Sequence, residues 1–93
     1  MAFIFMVFHY PEPGRRDDLV EAMKAMTAEL RGLPGCLEVG AWQDSQSDRL
    51  VGISRWESRE AFLAAGMAIG PSGGEAPEGE RRPRERFYLD DVA

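Results

Sequence analysis

Phe3-Ile4-Phe5-Met6-Val7-Phe8-His9-Tyr10 is the stretch that decides the fold. It is a short apolar run, rich in aromatics and closed by Pro11 and Pro13, and it reads as a β-strand. Successive side chains on a strand point to opposite faces. Phe3, Phe5, Val7 and His9 therefore share one face, and Ile4, Met6 and Phe8 share the other. A sheet with one wet face alternates apolar and polar residues. This run does not alternate, so both of its faces need cover. Helices of the same chain can cover one. The other calls for a second sheet, and a twofold pair of identical chains is the commonest symmetric way to supply it. The competing reading is a central, apolar strand inside a small monomeric core.

Working outward, Gly14 turns the chain, and Leu19, Met23, Met26 and Leu30 recur at i, i+4, i+7 and i+11. That spacing predicts one buried face of a helix from about Arg15 to Arg31, with the two methionines as core fillers. Asp17 and Asp18 suit its positive N-terminal end. Gly32 and Pro34 stop it. Leu37–Trp42 and Arg49–Trp56 read as a hairpin around the polar turn Asp44–Asp48. Ser58 caps a second helix whose Phe62, Ala65, Gly66 and Ile69 share a face, ended by Gly70 and Pro71. Residues 71–84 are rich in Gly, Pro and charge and read as a mobile loop, and Arg86–Val92 reads as a fourth strand. The order β-α-β-β-α-β is the split arrangement of ferredoxin-like α+β folds: a four-stranded antiparallel sheet under two helices.

Composition narrows the function. The chain of 93 residues fits a single domain spanning 1–93, and so short a chain gains from a partner subunit. A net charge of -5 argues against nucleic acid as partner. Cys36 is the only cysteine and His9 the only histidine, which excludes an intrachain disulfide and any multi-His/Cys zinc site within one chain. The apolar start lacks a basic leader and is cut short by Pro11, so neither a signal peptide nor a membrane span is expected, and the location expected is the cytoplasm.

Two segments carry a family resemblance. Leu33-Pro34-Gly35-Cys36-Leu37-Glu38-Val39 leads into the second strand, and Ser54-Arg55-Trp56-Glu57-Ser58-Arg59-Glu60-Ala61-Phe62 joins the third strand to the second helix. In this order they resemble the antibiotic biosynthesis monooxygenase domain family, from Phe3 to about Ala68. The resemblance implies a dimeric α/β barrel, with two sheets face to face and a pocket in each subunit between helices and sheet. It also implies oxygenation of small quinol- or anthrone-like aromatics with no metal, flavin or other cofactor. A non-catalytic dimeric small-molecule-binding or accessory protein of the same fold is the alternative. The haem-degrading branch looks for an Asn on the first strand and a His after the second helix. This chain has no Asn, places Val7 near that position, and carries Ala65 and Gly66 in the histidine stretch, so haem degradation is not expected.

Cofactor-free oxygenation needs a base, an apolar aromatic pocket and a group to steady the developing anion. His9 is the candidate base, since imidazole alone titrates near neutrality unaided. Its other reading is a strand-end histidine partly exposed beside Pro11. Phe5, Val7, Trp56 and Phe62 are the candidate pocket lining, with Trp56 more readily a core anchor joining the sheet to the second helix. His9 and Trp56 both lie late in their strands, which suggests an offset of ~10 Å at ~3.4 Å per residue. Arg55, of opposite parity to Trp56, faces the partner sheet or the rim, in an ion pair or as an anion stabiliser. Arg81, Arg82, Arg84 and Arg86 form a basic stretch that either gates a pocket for an acidic substrate or is solvated loop. Tyr10 and Tyr88 are further possible proton donors, and Cys36 reads as a small apolar residue at a strand start.

Overall fold

A computed structural model describes all residues, Met1–Ala93. The elements follow in the expected order: β1 (Phe3–His9), α1 (Arg16–Arg31), β2 (Cys36–Gln43), β3 (Leu50–Trp56), α2 (Arg59–Ala64) and β4 (Glu85–Asp90). The strands form one antiparallel sheet in the order β2-β3-β1-β4, so the doubly apolar β1 is central. This is the ferredoxin-like fold. Both helices lie on one face, α1 against β2 and α2 against β3. No helix is long and apolar enough to cross a membrane.

The core sits under α2. Phe3, Leu30, Trp56 and Phe62 are buried together. The Phe3 and Phe62 rings lie 5.1 Å apart, and Trp56 meets Phe62 edge-on at 5.9 Å, the offset and edge contacts that aromatic quadrupoles favour. Trp56 also donates its indole N–H to Ser54 Oγ at 2.9 Å, which satisfies its one buried polar atom. Ser58 caps α2 as its side chain predicts, accepting the Ala61 N–H at 3.1 Å.

Three local expectations are corrected. The second helix stops at Ala64 rather than at Gly70, because Gly66 takes φ +88° and so leaves the helical path. Ile69 is consequently exposed, not part of a helical face. On α1, Met23 and Leu30 are buried, but Met26 is half exposed and fills no core.

The opposite face of the sheet carries no helix. Ile4, Met6 and Phe8 lie there only partly buried, flanked by exposed Trp42, Phe87 and Leu89. Phe8 and Phe87 meet edge-on at 5.7 Å across β1 and β4, and Arg49 lies 4.5 Å over the Phe8 ring. Trp42 folds back over Gly40, where a side-chain carbon would come within 2.6 Å of its ring. Arg55 is on this same face, 3.6 Å from Glu38, so its charge is met by a surface ion pair.

Candidate functional site

The helix-facing row of β1 runs Phe3, Phe5, Val7, His9, and it passes from a filled interior to a hollow one. Phe3 is packed in the core. Two residues on, Phe5 stacks on Tyr88 at 5.2 Å and still touches Phe62, at 5.5 Å. At Val7 the neighbours shrink. Val7 pairs with Gly52 on β3, and Gly52 pairs with Ala41 on β2. With no side chain at 52 the sheet surface is low there, and α1 spans the gap. The result is a cavity of about 210 Å³. Phe5, Val7 and His9 line it from β1; Met23, Met26, Thr27 and Leu30 line it from α1; Arg84 and Arg86 come from the last part of the chain.

His9 is the polar end of the row. It is only 8% exposed, which sets aside the reading of a partly exposed strand end. Its Nδ1 lies 3.4 Å from Glu80 Oε2, a long hydrogen bond. Glu80 is itself buried, and its carboxylate is well supplied: the Tyr10 backbone N–H donates to Oε1 at 3.0 Å, and Arg84 Nε donates to Oε2 at 2.6 Å. A bridge between Pro11 and Glu80, with the Arg81 N–H donating to the Tyr10 carbonyl at 2.8 Å, holds the chain after β1 against this segment.

A carboxylate only accepts, so Nδ1 carries the proton and Nε2 keeps its lone pair. Nε2 has no hydrogen-bond partner within the chain and is not sealed from solvent, and His9 is one of the residues that line the cavity. The imidazole pKa is held below its usual 6.5, first by burial and then by the nearby Arg84 charge. Glu80 pulls the other way, but burial and the Arg84 charge outweigh it. His9 therefore favours its neutral form at pH 7, at the apolar chamber it lines.

The arginine-rich stretch divides by function. Arg81 grips Asp48 with two bonds of 2.9 Å and donates to the Pro11 carbonyl at 2.8 Å, tying the β2–β3 turn to this segment. Arg82 stacks 4.2 Å over the Tyr10 ring. Arg84 holds Glu80, and Arg86 reaches the cavity without a partner of its own. Neither tyrosine lines the cavity: the Tyr10 hydroxyl bonds Glu85, and the Tyr88 hydroxyl takes the Gly70 N–H and donates to the Ala68 carbonyl, each at 3.2 Å. Burial pushes the Cys36 thiol up, in keeping with an apolar role.

Of the lining predicted from sequence, Phe5, Val7 and His9 come together around the cavity. Trp56 and Phe62 do not. Both are 0% exposed and belong to the filled end. The strand offset is also larger than expected. In the antiparallel register Phe3 faces Trp56 while His9 faces Leu50, so His9 and Trp56 stand six positions, or ~20 Å, apart. Residues late in two antiparallel strands lie at opposite ends of the sheet. Glu80 and Gly52 were not singled out. Glu80 sits in a Gly/Pro-rich run with no periodicity and acts on a residue 71 positions away. Gly52 reads as an ordinary strand glycine until its neighbours across the sheet are known.

The sequence profile of the antibiotic biosynthesis monooxygenase family matches residues 2–66. The chain belongs to that family. Its two signature segments touch each other: Gly35, at φ +81°, lies so close to Ala61 that a side-chain carbon at 35 would stand 2.6 Å from the Ala61 methyl, and the Glu57 N–H bonds the Gly35 carbonyl at 2.8 Å. Solved structures share the fold. Rv0793 from Mycobacterium tuberculosis superposes with a TM-score of 0.78 at 20% identity, over 100% of this chain and 97% of that one. A crystal structure of an antibiotic biosynthesis monooxygenase gives 0.75 at 17% identity over 100% of both chains. The heme-degrading protein Rv3592 from Mycobacterium tuberculosis gives 0.67 at 20% identity, again over 100% of both. A search of curated proteins found no match. The family match contains Phe5, Val7 and His9 but ends before Glu80, Arg84 and Arg86, so the polar partners of His9 come from outside the matched segment.

Proposed function

We propose that this chain is a cofactor-independent monooxygenase of a small quinol- or anthrone-like aromatic, with His9 as the general base. The observation that carries this reading is a buried imidazole, anchored at Nδ1 by Glu80 and lining an apolar cavity. A phenol or benzylic C–H bound there gives its proton to Nε2, and Glu80 steadies the imidazolium that forms. The electron-rich anion then reduces oxygen directly. In the anthrone type of reaction a CH2 becomes C=O, the second oxygen atom leaves as water, and the substrate supplies every electron. The imidazolium so formed lies beside that anion and steadies its charge.

The working unit is a homodimer joined through the helix-free faces of two sheets. Ile4, Met6 and Phe8, with Trp42, Phe87 and Leu89, support this assignment, since burying each large apolar side chain is worth about 1.5–3 kcal/mol. Oxygen uptake measured across a panel of quinols and anthrones tests the activity. Turnover by the native chain and a loss of about 100-fold or more in His9→Ala are expected, the scale of a general base. Thermal stabilisation by the same compounds without oxygen consumption would instead place the chain among non-catalytic binding members of the fold.

A further inference from the structure

Arg86 is the charged group at the cavity that nothing in the chain neutralises. Arg84 is already committed to Glu80, so the pair carries no net charge. Arg31 and Arg59 are also without an ion pair, but both are exposed to solvent, where a lone guanidinium costs little. Arg86 is half-buried and turned to the cavity. It pairs with Val7 across β1 and β4, so its side chain rises from the sheet beside the middle of the cavity, one step along the same face from His9. Its backbone is held independently, the N–H donating to Ser72 Oγ at 2.7 Å and the carbonyl accepting from that hydroxyl at 3.1 Å. In a chain of net charge -5, an uncompensated cation facing an apolar chamber is an anion site awaiting its ligand.

The chamber is open to solvent on one side, and its volume sets a scale for the aromatic part of a ligand seated in it. At about 210 Å³ it is a little larger than a cavity of ~150 Å³ that accepts one benzene ring, and it falls short of the ~300 Å³ at which drug-sized sites begin. We propose that the ligand is a one- or two-ring hydroxyaryl carboxylate, its carboxylate on Arg86 and its hydroxyl directed at His9 Nε2. This deepens the proposed function by naming the substrate class, and it rests on the same site; the binding it predicts does not require turnover.

Calorimetric titration of the intact protein with 6-hydroxy-2-naphthoate and with 2-naphthol, two monophenols that differ in the carboxylate, provides the test. The naphthoate is expected to bind at least tenfold more tightly. Arg86→Gln should erase that preference while leaving 2-naphthol binding within about twofold, and Arg86→Lys should retain part of it, because a lysine keeps the charge and loses the fork. Equal affinities in the native protein, a preference for 2-naphthol, a preference that survives in Arg86→Gln, or no binding of either compound would overturn the inference. The native comparison stands even where a variant fails to fold. Naphthoate preference without oxygen uptake from any substrate would uphold this inference and sink the monooxygenase; turnover of neutral quinols with no such preference would do the reverse.

Discussion

At the residue scale the chemistry depends on how one imidazole is surrounded. The groups facing His9 are Glu80, Arg84 and Arg86, and only Glu80 favours its charged form. A base whose folded pKa is depressed is protonated more readily in the unfolded chain. Stability is then fully present above the unfolded value near 6.5 and declines as the pH falls through that value toward the folded one. Asp44, whose carboxyl is held below 3.8 by the Gln46 N–H and by Arg49, loses its contribution only in stronger acid, so the two windows separate. Urea unfolding between pH 7.5 and pH 5 should therefore show a loss of stability in the native protein and a flatter profile in His9→Gln. A native profile that rises on acidification would mean that Glu80 prevails over burial and Arg84. His9 itself was legible in the sequence, as the sole imidazole on the apolar strand. Its state was not, because Glu80 and Arg84 reach it through a segment with no secondary-structure signal.

At the element scale most of the fold was legible. The aromatic run of β1, the helical spacing on α1 and the Ser58 cap each left a local pattern, and the structure has all three. What misled were positions where a distant neighbour decides. Phe62 looked like pocket lining and is core because α2 closes over that end of the sheet, where Trp56 is the core anchor its size suggests. The contact of Gly35 with Ala61 shows the same dependence and offers a measurable case. Gly35→Ala meets both a left-handed backbone, worth about 1–3 kcal/mol, and a clash with the Ala61 methyl. Gly14 has nearly the same φ, +83°, and nothing within 4 Å, so Gly14→Ala meets the backbone cost alone. Chemical denaturation should rank Gly35→Ala as the more damaging, and adding Ala61→Gly should recover the difference, less the helix cost of a glycine. Equal losses in the two single variants would show that the two signature segments are not in close contact.

At the scale of the whole molecule, β1 serves two purposes with its two faces. The helix-side row ends in the cavity and His9, and the outer row of Ile4, Met6 and Phe8 is the centre of a bare apolar face. A chain of 93 residues has little surplus stability to spend on leaving such a face wet. The sheet order makes the case stronger than the sequence could, since β1 is central and its outer row is continued outward by Trp42 on β2 and by Phe87 and Leu89 on β4. The measurement that bears most directly on this division of labour is sedimentation velocity of the purified chain at micromolar concentration, with Met6→Asp beside it. The native protein should sediment as two chains, and Met6→Asp, which places a carboxylate at the middle of the outer row, as one. A native protein that sediments as a single chain at tens of micromolar would contradict the claim that a second copy covers this face.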